Sequence, residues 1–253
     1  MRPERKLGQN FLTDKFYLAK ILQAVAATPQ DTVVEIGAGT GALTKALLEC
    51  GACVIALEKD PRCAAALEDL KQIYPKTFTY HITDALEADF TALAPAGSIL
   101  AGNLPYNIGT QIVVKGLECG QHFRRHIFLL QKEVVKRICS TPETSDWGRL
   151  GVLCNLKADC ENLFDVPPGA FYPPPKVTSA VVRLSPLPHP RFPCDEEKLQ
   201  HITRQAFGQR RKMLRASLKP LIPEATLKKA GLSPTQRPET VSLEKFAALS
   251  LLN

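Results

Sequence analysis

Two stretches of this chain carry residues whose types and order suit group transfer. The first is a glycine loop, Glu35-Ile36-Gly37-Ala38-Gly39-Thr40-Gly41, and the second is Asn103-Leu104-Pro105-Tyr106. Glycines let backbone approach a nucleotide-like ligand closely. Taken alone they do not choose the ligand, and Gly37-x-Gly39-x-x-Ala42 also satisfies a relaxed dinucleotide fingerprint. Glu58 suits a ribose hydroxyl in either case. Three features turn the reading toward S-adenosylmethionine. Glu35 is placed to hold the ligand's ammonium through the loop. Asp84 follows a strand and suits an adenine amine. Asn103–Tyr106 has no evident task beside a nicotinamide. Glu or Asp after a strand is often only a helix cap; the joint placement favours a ligand.

Asn103–Tyr106 suits an exocyclic base amine. Adenine's amine is a poor nucleophile because its lone pair is delocalised into the ring. Asn103 Oδ1 and the Leu104 carbonyl would accept hydrogen bonds from the amine and free that pair. Pro105 fixes the turn so that both acceptors face one atom. Tyr106 would stack on a base drawn out of its helix, with Phe171 on the opposite face. The methyl would pass in line from sulfonium to nitrogen, giving S-adenosylhomocysteine, with no metal.

The elements that must position these residues alternate. Asp14 caps a helix running to about Ala27. Strands are expected at Thr32–Ile36, Cys53–Leu57, Thr77–Ile82, Ser98–Gly102 and His126–Gln131. Helices are expected from Ala42 to about Cys50, from Asp60-Pro61 to about Tyr74, and over Gly109–Cys119. This order predicts a mostly parallel, doubly wound sheet, in which ligands bind beyond the carboxyl ends of strands. Gly37, Glu58, Asp84 and Asn103 all fall at such ends. A helix at Leu150–Ala158 and strands at Asn162–Val166 and Val177–Leu184 follow, the strands flanking a Pro-rich turn. The expected division is 1–185 as the donor and adenine domain, 186–194 as a Pro-rich linker and 195–253 as a helical, basic domain. The helices there are expected at Glu196–Phe207, Arg211–Leu218, Glu224–Ala230 and Leu243–Leu252.

The 253 residues are 45% hydrophobic, enough for a sizeable core. No apolar run predicts a membrane span, and Met1–Lys6 opens no signal peptide. The formal charge of +7 suits a polyanion. The eight cysteines are scattered, and the one CxxC, Cys50/Cys53, lacks partners for a zinc site. Reduced thiols in a cytoplasmic monomer are expected.

Five segments in order resemble the ribosomal RNA adenine dimethyltransferases: Leu7–Leu12 (LGQNFL), Glu35–Gly41, Asn103–Ile108, Phe171–Ser179 (FYPPPKVTS) and Ala206–Leu214 (AFGQRRKML). Arg237-Pro238-Glu239 also fits. The resemblance implies a Rossmann-like α/β methyltransferase domain with a small α-helical C-terminal domain. It implies dimethylation of two adjacent adenosines in a hairpin loop near the 3′ end of small-subunit rRNA, within a 30S or pre-30S particle and linked to late assembly. By position, Gln9, Asn10 and Leu12 would close over the donor, whose site is lined by Glu35, Gly37, Gly39, Gly41, Glu58, Asp84 and Asn103. The chain departs from the family at Trp147, where Tyr is frequent, and at Gly151 and Asn155, where Ser and Gln are usual.

Arg210, Arg211, Lys212, Arg215 and Lys219 crowd into ten residues. On a helix, Arg211, Arg215 and Lys219 share one face. A solvated surface is the ordinary reading of such a run; beside a base-flipping site, contact with rRNA phosphates is favoured. Two alternatives stay open: a macrolide-resistance-type methyltransferase of large-subunit rRNA, and an assembly factor whose catalysis is secondary.

Overall fold

The computed structural model describes residues 9–252. The Leu7-Gly8 start of the first motif, the Met1–Lys6 reading and Asn253 lie outside the described residues. The elements run β1 (Phe11–Leu12), α1 (Lys15–Val25), β2 (Thr32–Ile36), α2 (Ala42–Glu49), β3 (Cys53–Glu58), α3 (Ala64–Ile73), β4 (Phe78–Ile82), α4 (Phe90–Leu93), β5 (Ser98–Asn103), α5 (Gly109–Glu118), β6 (Phe123–Gln131), α6 (Lys132–Ile138), α7 (Arg149–Lys157), β7 (Ala158–Val166), β8 (Phe171–Tyr172), β9 (Ser179–Pro186), α8 (Glu196–Gly208), α9 (Leu214–Ser217), α10 (Glu224–Lys229) and α11 (Leu243–Leu251).

The chain divides into two compact units. One takes the residues up to Val135 together with Glu161–Pro186; the other takes Lys136–Cys160 with the residues from Leu187 onward. The expected single boundary at 186–194 is therefore corrected. The chain crosses between units three times, because α7 supplies Val152 and Leu156 to the apolar core of the C-terminal helices.

The first unit is built on a seven-stranded sheet ordered β4-β3-β2-β5-β6-β9-β7. β2 through β6 pair in parallel, and β9 lies antiparallel on β6. The middle strands carry branched, apolar side chains buried on both faces, as a sheet covered by helices requires. The chain moves outward from β2 through β3 to β4, then returns to place β5 on the other side of β2. That reversal makes a switch point between β2 and β5, where a parallel α/β sheet opens a crevice. The strands crowd there. A methyl group on Gly102 would come within 2.2 Å of the Ile36 carbonyl oxygen, so only glycine fits.

The sequence did not foresee the short helices α4 and α6, nor two further features. Phe11 and Leu12 pair antiparallel with Tyr172 and Phe171, forming a separate two-stranded ribbon. Pairing register hid it, since two-residue strands carry no periodic signal. The helix after Asp60 begins as a 3-10 turn, Pro61–Cys63, before α3.

The second unit is helical. Its core gathers Trp147, Leu156, Leu199, Leu214, Leu227 and Phe246. Trp147 is buried, and its indole N–H donates to the Val241 carbonyl at 2.9 Å. A methyl at Gly151 would lie 3.0 Å from the Trp147 ring and 2.5 Å from Ser140 Oγ. The larger ring at 147 and the bare glycine at 151 thus fit together. Asn155 Nδ2 donates to the Ile138 and Gly151 carbonyls, tying α6 to α7. Trp147, Gly151 and Asn155 thus belong to one local packing arrangement.

Helix at Arg211–Leu218 is corrected. α8 ends at Gly208, residues 209–213 form a turn, and α9 spans only Leu214–Ser217. Arg211, Arg215 and Lys219 consequently do not share a helix face.

Candidate active site

The crevice at the switch point holds a cavity of about 160 Å³, lined at its base by Gly37, Gly39, Glu58, Asp84, Asn103 and Leu104. Gln9, Asn10 and Phe11 line it from the N-terminal side, and Pro105 and Tyr106 from the other. The structure thus brings together most of the residues that the sequence assigned to donor and base.

The glycine loop is held from two directions. Gly37 and Gly39 take φ values of 75° and 57°, which L side chains rarely adopt. The Phe11 ring lies against Gly39, 2.8 Å from where a side chain would begin. Glu58 fixes the loop from below. Its Oε2 accepts from Gly39 N at 2.7 Å, and its Oε1 accepts from Asp60 N at 2.8 Å. Each oxygen keeps a lone pair for a ligand hydroxyl.

Asp84 sits beyond β4, with Oδ1 accepting from Leu86 N at 2.9 Å and Oδ2 accepting from Lys59 Nζ at 2.6 Å. The Lys59 ammonium holds the Asp84 carboxyl below its usual range. At the rim, Gln9 Nε2 donates to Asp60 Oδ2 at 2.8 Å. The Arg62 guanidinium on the same carboxylate holds it well below the usual range.

Asn103 ends β5 with its side chain oriented. Nδ2 donates to the Asn10 carbonyl at 2.8 Å, which leaves Oδ1 as the acceptor of that amide. Leu104 N donates to the Leu129 carbonyl at 3.1 Å, so the turn hangs from β6. The Gly109 and Ile108 amides close it onto the Pro105 carbonyl. Tyr106 is half-buried, and its hydroxyl lies 2.7 Å from Ser179 Oγ. Burial raises its pKa, against the pull of that hydrogen bond.

Four assigned residues are not brought to this cavity. Glu35 is buried and faces the opposite side of β2 from Ile36, because successive strand residues alternate. Its Oε2 accepts from Thr44 Oγ1 at 2.6 Å. Burial pushes its carboxyl up to about 7, with the Glu58 charge adding and Thr44 opposing. Glu35 and Leu12 line a separate chamber of about 40 Å³ behind the loop. Gly41 caps α2 at φ 84°, packed against Leu70. Phe171 is 4% exposed and packs in the core, whereas its neighbour Tyr172 is 60% exposed. The ribbon pairing turns Phe171 inward.

Sequence reasoning missed Phe11, Lys59, Asp60, Gly102 and Ser179. Gly102 had a signal, a glycine just before the motif asparagine at a strand end. Ser179 had only its place at the end of a motif. The five basic residues all lie in the second unit and are exposed. Arg210 is engaged, donating to the Ser145 carbonyl and, at 2.9 Å, to that of Trp147. Cys50 and Cys53 are free thiols. Among the described residues no group of three or more His, Cys, Asp or Glu is arranged to hold a metal, and no helix is long and apolar enough to cross a membrane.

Comparison with known proteins agrees with this geometry. The family model described as ribosomal RNA adenine dimethylase matches residues 2–252. The chain is 47% identical over 251 residues to the Ribosomal RNA small subunit methyltransferase A of Rhizobium etli (strain CIAT 652), covering 97% of this chain and 91% of that one. It is 46% identical over 248 residues to the protein of the same name from Rhodospirillum rubrum, covering 97% and 86%. Among solved structures, a dimethyladenosine transferase from Plasmodium falciparum shares the fold, with a TM-score of 0.79 at 22% identity over 94% of this chain and 95% of that one. The 23S rRNA methyltransferase ErmE matches with a TM-score of 0.73 at 27% identity, covering 95% and 98%.

Proposed function

The chain belongs to the ribosomal RNA adenine dimethylase family, and from that premise we propose that it dimethylates the 6-amino groups of two adjacent adenosines in a hairpin loop near the 3′ end of 16S rRNA. The donor is S-adenosylmethionine, the particle a 30S subunit or its precursor late in assembly, and the enzyme a cytoplasmic monomer that needs no metal. One observation carries the reading: Asn103 stands where donor cavity and base turn meet, and its amide is locked with Oδ1 as the acceptor.

Glu58 takes the donor's ribose, Asp84 its adenine amine, and the loop at Gly37 and Gly39 its methionine end. Gln9, Asn10 and Phe11 cover it. Glu35 acts on the donor's positive charge from behind the loop, through the backbone, and Leu12 packs beside it. The flipped adenine stacks on Tyr106, and engaging Phe171 on its other face requires the β8 segment to turn. Asn103 Oδ1 and the Leu104 carbonyl accept from the 6-amino group. Its lone pair then takes the methyl carbon as the carbon–sulfur bond breaks. The donor leaves as a neutral thioether, and the nitrogen gives its proton to water. Positioning, and the spreading of the sulfonium charge onto the attacking nitrogen in a partly dry site, supply the rate.

Small-subunit rRNA is favoured over large-subunit rRNA. Identity to the small-subunit methyltransferases is 46–47%, against 27% to ErmE. Arg211, Lys212, Arg215 and Lys219 are exposed on the second unit and contact rRNA phosphates there, with Arg210 bracing the turn.

The test is transfer from labelled S-adenosylmethionine to unmethylated 30S subunits, with 50S subunits in parallel. Dimethyladenosine at two neighbouring 16S positions is expected. Label confined to 50S would move the enzyme to the large subunit. Label on neither, with donor still bound, would favour an assembly factor.

A further inference from the structure

Within Phe171–Ser179, the side chain that bonds to the Tyr106 turn is that of the last residue, Ser179. We propose that Ser179 is a positioning residue that holds the Tyr106 ring in the plane on which the target base stacks. This rests on the base site proposed above.

Ser179 is fully buried, at 0% exposed. Its hydroxyl lies 2.7 Å from the Tyr106 hydroxyl, and among the described residues its side chain makes no other hydrogen bond. A buried hydroxyl is unfavourable without a partner, whereas alanine would pack there at no such cost. The bond to Tyr106 accounts for serine at this place.

The geometry makes the bond a rigid brace. Asn103 pairs with Leu129 on β6, and Leu104 N is bonded to the Leu129 carbonyl at 3.1 Å. Two residues further along β6, Gln131 pairs with Ser179. The next amide, Lys132 N, donates to the Thr178 carbonyl at 3.0 Å. The turn carrying Tyr106 and the strand carrying Ser179 therefore hang from the same stretch of β6. The tyrosine is tied at its Cα through the turn and at its hydroxyl through β9. Without the second tie the ring swings about its Cα–Cβ bond, and the base must immobilise it on arrival.

The effect should be larger for the second methyl than for the first. A monomethylated amine must rotate to present its remaining hydrogen to Asn103 and Leu104. Stacking alone keeps the base in place during that rotation.

The test uses the full chain and unmethylated 30S subunits in single-turnover transfer, with mono- and dimethyladenosine quantified. Donor affinity and thermal midpoint are measured alongside. Ser179→Ala and Tyr106→Phe should each slow transfer about three- to tenfold. Donor affinity should stay the same and the monomethyl share should rise. The double variant should be no slower than the slower single one, since both remove one bond. Wild-type rate and product ratio in both single variants, or losses that multiply in the double, would overturn the brace. If Ser179→Ala lowers the thermal midpoint, Tyr106→Phe decides, because it breaks the same bond and leaves β9 unaltered. Tyr106→Ala separates the two levels. Lost transfer there beside unaffected Ser179→Ala and Tyr106→Phe removes only the brace; retained transfer in Tyr106→Ala removes the stacking role of Tyr106 itself.

Discussion

Asn103 and Asn10 are 93 positions apart in the chain and joined by one hydrogen bond, from the Asn103 side-chain amide to the Asn10 carbonyl at 2.8 Å. The bond does two things at once. It fastens the N-terminal segment over the cavity, and it fixes which end of the Asn103 amide is left for the proposed target base.

Asn103→Ala deletes one of two acceptors aimed at the amine. Transfer in single-turnover assays should fall at least about 10²-fold, in line with losing a preorganised hydrogen-bonding group. S-adenosylhomocysteine should still bind within about tenfold of wild type, because only the fastening of Asn10 is lost from the donor side. Near-normal transfer would remove Asn103 from the chemistry.

Glu58 supports the loop, and the proposed function gives it the donor's ribose as well. Glu58→Ala should weaken S-adenosylhomocysteine binding by about tenfold or more in titration calorimetry, since it loses a ribose acceptor and frees Gly39 N and Asp60 N together. Glu58→Gln, which keeps one acceptor oxygen, should fall between. Equal affinity for all three proteins would reduce Glu58 to a cap.

Glu35 predicts a stability change with pH. Its carboxyl is pushed up to about 7 from an ordinary 4.5 by burial, so the native state keeps the proton longer than the unfolded chain. The stability tied to this group is full below about pH 4.5 and is lost as pH rises through 7. Glu35→Gln does not titrate and can still accept from Thr44. By denaturant unfolding, its stability relative to wild type should rise by roughly 2–3 kcal/mol between pH 5 and pH 8. Parallel pH profiles would mean that the native carboxyl is ionised throughout.

His126 acts in the opposite sense. Burial pushes it down to about 3, and neither ring nitrogen has a hydrogen-bond partner among the described residues. The unfolded chain takes up a proton near 6.5 and the native core does not. This contribution is present above pH 6.5 and is lost as pH falls toward 3. His126→Leu should remove about 2 kcal/mol of the stability lost by wild type between pH 7 and pH 5. An unchanged acid limb would place the proton elsewhere.

The basic turn should bind phosphate even though it is not a helix face. Arg211→Glu with Arg215→Glu should weaken 30S binding and reduce the slope of log affinity against log salt by about 2, from two lost phosphate contacts. An unaltered slope would return these side chains to ordinary solvated surface.

The sequence by itself determined the alternating elements, the parallel sheet and the carboxyl-end position of Gly37, Glu58, Asp84 and Asn103. These follow from local chemistry: β-branched runs make buried strands, glycines open the turn after β2, and Asp14 and Asp60 begin helical turns. Only the tertiary structure decided which way side chains face. Strand alternation turns Glu35 to a chamber behind the glycine loop, and ribbon pairing turns Phe171 into the apolar core. The partners of Asn103 and Tyr106 could not be read either, because Asn10 and Ser179 lie 93 and 73 positions away. The division between units was hidden for the same reason: α7 joins the C-terminal helices through Val152 and Leu156, beside Trp147 just before it, and that packing depends on which surfaces meet rather than on which residues are neighbours in the chain.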